Sequence, residues 1–436
     1  MCGGIIAENH RSTVQMKIWK SRTRMAGGRE VDLHIMGSRK KITTNIFVSL
    51  VCFGLVMGRV AAQQLPPTQT PYFQYGKGLE ITAPDSLFQM NIRFRMQNRF
   101  AFYTPLADKF GIEEIEARVR RLRLRLDGFV YSPRLTYVIQ LSFTRGDMDY
   151  DVTQFPNIIR DAFVRYQVTD RFSLGVGQTK LPGNRQRVNS SGDLQLPDRS
   201  IVNATFNIDR DFGIQAYFIE NVYVLRGAIS TGEGRNVLST DAGLAYTLRG
   251  EFLPFGHFTN GGDYFEADLM REPSPKLSIG FSYSYNNNTL RTGGQLGHYL
   301  HEGRDLKTVM ADFLLKYNGL SISSEYINRQ TPDPLTFSPQ GEVRYIRAGQ
   351  GENYQVGYLM PSDFELVGRY SRLVPMPEIR QFERDVREFT LGLNKYVKGH
   401  RVKLQTDITL QQQESFLDGK DSRRQLITRF QIEVGI

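Results

Sequence analysis

The sequence is poor in three things that often organise an exported chain. It has two cysteines and one tryptophan in 436 residues, and only one long apolar run. Cys2 and Cys52 both fall within the first 62 residues. The rest of the chain is free of cysteine, so it is no disulfide scaffold. Trp19 lies in the same stretch, so an aromatic belt further on would have to come from the 21 Tyr and 28 Phe. The apolar run, ITTNIFVSLVCFGLVMG at 42–58, is slightly short for a membrane-spanning helix, and nothing after residue 62 reaches that length. Nucleophile elbows, Walker loops and H-E-x-x-H runs are also missing after residue 62. No enzyme and no cofactor is implied.

What is present begins with an export signal. MGSRKK at 36–41 is a basic n-region, 42–58 an apolar h-region, and Val60-Ala61-Ala62 a small-residue cleavage site. The pattern predicts a signal peptide over 36–62, cut before Gln63. Translation is expected to start at Met36, which makes 1–35 an extension. Residues 1–62 hold ten of the 55 basic and three of the 45 acidic residues, which leaves 45 against 42 and lowers the net charge from +10 to +3. The basic character therefore belongs mainly to the leader and gives no reason to expect nucleic-acid binding.

After residue 62 the recurring signal is alternation of period two. FQMNIRFRMQ (88–97), RLTYVIQLSF (134–143), KLSIGFSYSY (276–285) and RVKLQTDITL (401–410) each set apolar side chains against polar or small ones. About sixteen such segments centre near 92, 122, 139, 164, 175, 215, 225, 247, 281, 312, 323, 356, 368, 391, 406 and 431. Tight turns such as 131–134, 168–171, 317–319, 361–363 and 397–400 alternate with long polar connections at 103–116, 144–157, 182–209, 230–242, 286–305, 328–350, 372–386 and 411–424. Strands of about ten residues, with short turns on one rim and long loops on the other, describe a transmembrane antiparallel β-barrel in an outer membrane. Residues 63–87 would precede the barrel as a periplasmic segment and 88–436 would form it. Residues 253–276 are long where a short turn is due, so the strand count carries an error of two.

RVRRLRLRLDG (118–128) tests this reading. Arg121, Arg123 and Arg125 alternate with Leu122, Leu124 and Leu126. Alternate side chains of a strand face opposite sides. In a barrel the leucines meet lipid and the arginines line the lumen, because a charge on the lipid face costs about 2–4 kcal/mol at mid-bilayer.

RRLRLRLDGFVYSPRLTYVIQLSF, IRDAFVRYQVTDRFSLGVGQTKLPG, SSGDLQLPDRSIVNATFNIDRDFGIQ and LGLNKYVKGHRVKLQTD, in that order, resemble the phosphate-selective porins O and P, including relatives common in Bacteroidetes. The resemblance runs from about residue 88 to the C-terminus. It implies a 16-stranded homotrimeric porin of a Gram-negative outer membrane, whose third extracellular loop folds inward and whose lumen selects anions, phosphate or polyphosphate among them. By position it carries over Arg120 and Arg121 as paired arginines and Arg199 as the arginine of the constriction loop. A loop lysine of the family has no counterpart near Gln186 or Arg187, and the chain ends in Ile436 rather than an aromatic residue.

An anion pathway needs cations facing a narrow, poorly screened lumen. Arginine suits oxyanions through its two-pronged donor geometry. The candidates are Arg93, Arg95, Arg120, Arg121, Arg123, Arg125, Arg165, Arg185, Arg187, Arg199 and Lys403. The rival reading pairs them with Asp127, Asp161, Asp407 and loop acids and leaves a general, non-selective porin. The same pattern also fits a plugged structural or adhesive barrel, and its strands taken alone fit a soluble secreted β-sandwich. His298 and His301 have two-histidine spacing but no third ligand, so no metal site is expected.

Overall fold

A computed structural model describes residues 73–74, 78–83, 87–106, 111–237, 243–416 and 422–436. The expected extension and signal peptide lie outside them. Sixteen antiparallel strands form the wall. The first four are β1 (Phe88–Pro105), β2 (Glu114–Val130), β3 (Ser132–Ser142) and β4 (Ile159–Gln167). Next come β5 (Phe172–Lys180), β6 (Arg210–Ile219), β7 (Tyr223–Ser230) and β8 (Ala245–Phe252). β9 (Lys276–Arg291), β10 (Tyr299–Tyr317), β11 (Leu320–Gln330) and β12 (Gly349–Leu359) follow. β13 (Phe364–Pro375), β14 (Asp385–Lys398), β15 (Val402–Glu414) and β16 (Ser422–Gly435) complete the set.

Each strand pairs with the next, and β16 closes on β1 from Gln425↔Pro105 to Gly435↔Arg95. All sixteen expected centres fall inside these strands. The 253–275 connection conceals no hairpin and carries only a short 3-10 turn, Thr259–Tyr264. Several strands exceed the expected ten residues, β1, β2, β9 and β10 having 18, 17, 16 and 19. A barrel strand can outrun the lipid because its neighbours, not the bilayer, satisfy its backbone. At the tight-turn rim, Asn318 and Gly319 both have positive φ, 46° and 87°, as a two-residue Asn-Gly hairpin requires.

A short strand, Gly78–Thr82, pairs with β1 from Leu79↔Ile92 to Thr82↔Gln89. β2 occupies the other edge of β1 along this length. The short strand therefore lies in line with β16, just past the point where the Ile436 N–H reaches the Phe94 carbonyl at 3.1 Å.

Side chains follow the alternation. Leu122 is exposed on the outer face, and Arg121 and Arg123 are buried on the inner one. Bulges break the phase at several points, two of them beside inward arginines. β1 and β2 pair Gln97↔Arg121 and then Asn98↔Val119, skipping Arg120. β3 and β4 pair Gln140↔Asp161 and then Leu141↔Ile159, skipping Arg160. A bulge leaves one residue unpaired and re-aims it. Arg120 thereby joins Arg121 inside, and Arg160 joins Asp161.

Candidate functional site

The connection between β5 and β6, residues 181–209, bonds to β1, β2, β10 and β14–β16, strands on other sides of the ring, so it runs through the interior. Its own apolar side chains explain this path. Leu181, Val202, Phe206 and Ile208 pack against Ala228, Met310, Ile327 and Leu373 of the wall. Each large apolar side chain so buried contributes about 1.5–3 kcal/mol. Glycine makes room for the approach. A Cβ on Gly351 would lie 2.5 Å from Val202, and one on Gly392 2.4 Å from Leu196.

Cations then secure the segment's backbone. Lys403 Nζ donates to the carbonyls of Gly192 and Leu194 at 2.8 and 2.7 Å. Arg329 donates to those of Phe206 and Asn207 at 2.9 Å. One carboxylate anchors the tip. Asp198 pairs with Arg99, with Arg120 at 3.3 Å and with Arg121 and Arg429 at 3.9 Å. Burial alone would raise its carboxyl, but these arginines outweigh burial and hold it well below the usual range.

On the long-loop side of this segment lies a cavity of about 480 Å³. Nine arginines line it, against Asp147, Asp149, Asp198, Asp209 and Glu388. Five of the arginines come from the sequence candidates: Arg120, Arg121, Arg123, Arg187 and Arg199. Arg123 donates to Asp147 at 2.7 Å and Arg187 to Asp209 at 2.9 Å. The other four, Arg160, Arg235, Arg369 and Arg429, lie outside the candidate set. Alternation could have placed Arg369 and Arg429 on the inner face, but not at this height. Arg160 arrives by a bulge and Arg235 from the β7–β8 connection.

Three of the nine have no carboxylate within ion-pair distance among the described residues. Arg199 donates to the carbonyls of Gln186 and Asn189 at 2.8 and 2.9 Å. Arg235 donates to those of Asp147 and Asn157 at 3.0 and 3.4 Å. Arg369 donates to that of Asp198 at 2.9 Å. Burial, and then the neighbouring charge of Arg187, push the Arg199 guanidinium down to about 9. Asn203, wholly buried, lines the same cavity with neither side-chain polar atom partnered.

The remaining candidates lie elsewhere. Arg93 and Arg125 share Asp127, the latter at 2.9 Å. Arg95 bonds Ser190 and Ser191 at 3.0 and 2.8 Å and lies 3.6 Å from Glu433. Arg165 stands over the Tyr217 ring at 5.8 Å. Arg185 meets Asp312 at 2.6 Å. Asp161 is taken by Arg210 and Asp407 by Arg429, at 2.9 and 2.8 Å. His301 lies 3.9 Å from Glu342, and no group of three metal-ligating side chains occurs among the described residues.

A second segment enters from the opposite rim. Residues 253–275 rise from the tight-turn end and meet the first segment at Glu266. Its carboxylate accepts from the Gln195 N–H at 2.8 Å, from Gln186 at 3.0 Å and from Gln355 at 3.1 Å. Lys316, buried in the wall, donates to the carbonyls of Gly262, Phe265 and Ala267 at 2.6, 2.9 and 2.8 Å. Asp268 accepts from the Gly319 N–H at 2.8 Å. The sequence marks this connection as too long for a turn, but nothing in its composition gives its path.

The barrel resembles two solved structures. One is the outer membrane channel DcaP of Acinetobacter baumannii, 11% identical, covering 82% of this chain and 99% of that one with a TM-score of 0.51. The other is OmpF of Salmonella typhi, 13% identical, covering 81% and 100% with a TM-score of 0.50. An uncharacterised protein of Aquifex aeolicus is 22% identical over 72% of this chain and 79% of its own length. The pattern of the family described as phosphate-selective porin O and P matches residues 90–405. With its sixteen-stranded wall and that match over most of its length, the chain belongs to the phosphate-selective porin O and P family.

Proposed function

We propose that this porin passes small anions by passive diffusion through the arginine-lined cavity, phosphate-like oxyanions among them. The family and the barrel together indicate an outer-membrane channel, not an enzyme. The observation that carries the anion preference is the trio Arg199, Arg235 and Arg369. Arg235 and Arg369 are buried and Arg199 is half-buried, and each guanidinium is held by carbonyls, which orient the charge without neutralising it. In a low-dielectric constriction such charges attract anions strongly. An entering anion exchanges part of its water shell for guanidinium donors and leaves down its gradient.

The proposal includes export through removal of 36–62, tight turns facing the periplasm, contact of the outer leucines with membrane lipid and, from the family resemblance, a homotrimer. Its test is the reversal potential of the protein in planar bilayers under a KCl gradient. The potential should lie on the anion side and move towards zero when Arg199, Arg235 and Arg369 are all changed to Gln. A cation-side potential in the unaltered protein would reject anion preference. A second reading, a plugged barrel, is favoured by the entry of residues 253–275 into the lumen. It predicts no unitary conductance in the same recordings.

A further inference from the structure

We propose that the cavity takes a polyhydroxylated organic anion, a monosaccharide carrying a phosphate or carboxylate, in preference to a bare oxyanion. This rests on the anion pathway proposed above and narrows its substrate class. Size is the first argument. A tetrahedral oxyanion fills roughly the share of two or three waters, on the order of 60–90 Å³. The cavity, at about 480 Å³, is several times larger and falls within the usual span for pockets that hold organic ligands.

The second argument is the mixture of groups. A bare oxyanion has few protons or none to donate, hydrogen phosphate carrying only one or two, and five carboxylates stand among the arginines that would receive it. A sugar hydroxyl both donates and accepts. It can donate to Glu388, which already accepts from Gln411 at 2.7 Å, while accepting from a neighbouring guanidinium.

Unspent hydrogen-bonding capacity is the third. Asn203 has a free donor and a free acceptor, and the Asn207 side-chain oxygen is a further unpartnered acceptor. Chloride has no proton to offer either oxygen, and hydrogen phosphate has only one or two to share among all these groups. The trio, with no carboxylate in ion-pair contact, supplies the charge for the phosphate or carboxylate, and the amides and Glu388 supply partners for the ring hydroxyls.

The test is block of chloride current in planar bilayers by glucose 6-phosphate, inorganic phosphate and glucose, each added alone. Glucose 6-phosphate should block at about a tenth of the phosphate concentration or less, and glucose should not block. In Asn203→Ala the block by glucose 6-phosphate should weaken about fivefold or more while that by phosphate is unchanged. Glu388→Gln, on a wall strand, gives the same comparison without altering the loop. Equal or tighter block by phosphate overturns the inference and leaves anion preference standing. A cation-side reversal potential with no block overturns both.

Discussion

The cavity above the 181–209 segment and the 253–275 segment beneath it are both crowded with buried charge, yet they are built oppositely. Beneath, the principal charged groups reach several partners. Lys316 spans three carbonyls, the Glu266 carboxylate takes three donors and the Asp268 carboxylate takes a backbone amide. Above, Arg199, Arg235 and Arg369 have carbonyls but no carboxylate, and the Asn203 side chain has nothing. A satisfied group is fixed and has little left for a passing solute. An unsatisfied one costs stability, which suits a place where a ligand comes and goes. Burial and charge alone do not separate scaffold from pathway in this barrel.

The contrast is breakable from the satisfied side first. Lys316→Met strips three carbonyls of their common donor. Unfolding of the detergent-held barrel by guanidinium should lose about 3–5 kcal/mol, and unitary conductance should rise as the lower segment loosens. Lost stability with unchanged conductance would mean that the segment does not limit flow. Asp198→Asn comes next. It releases four arginines from one carboxylate, for a loss of about 2–4 kcal/mol, with a noisier open state and a stronger anion-side potential. A quiet channel would show that the apolar patch of the loop suffices to hold it.

The unsatisfied side should respond with the opposite sign. Changing Arg199, Arg235 and Arg369 to Gln should leave stability unchanged or raise it by about 1 kcal/mol, read from the same denaturation curves. A loss of several kcal/mol would mark the three as structural. The smallest effect concerns pH. Asp198 is depressed in the folded state. Its contribution is complete above the unfolded value of about 3.9 and is lost only as pH falls through the lower folded value. Conductance recorded from neutral pH down to about 4.5 should stay flat as far as Asp198 governs it, and a fall within that window would point to Glu325, whose carboxylate accepts from the Gln186 N–H of the loop at 2.6 Å.

The wall was legible because its physics repeats. Alternation within strands and alternation of connection length between them are two independent signals, and they agree at every connection but 253–275. The cavity was legible only in part. Arg121 and Arg123 follow from alternation beside Leu122 and Leu124. The inward turn of Arg120 depends on a bulge, and local residue types do not announce an unpaired residue. The meeting of Arg369 and Arg429 is set by strand tilt and stagger, which fix the height of a side chain in the barrel and leave no mark in local sequence. The inward course of residues 253–275 depends on Lys316, distant in sequence and read alone as one more strand-end lysine.

The short strand Gly78–Thr82 has a consequence for how the wall is made. Closing the ring joins β16 to β1 across nearly the whole chain, the costliest loop in the molecule to close. A one-residue slip there would turn every side chain of β16 to the wrong face. With the lower edge of β1 already occupied, the incoming strand has only the upper edge to pair with and stops where the short strand begins. The beginning of the chain thus serves its end as a doorstop, setting the register of the last seam to be sewn.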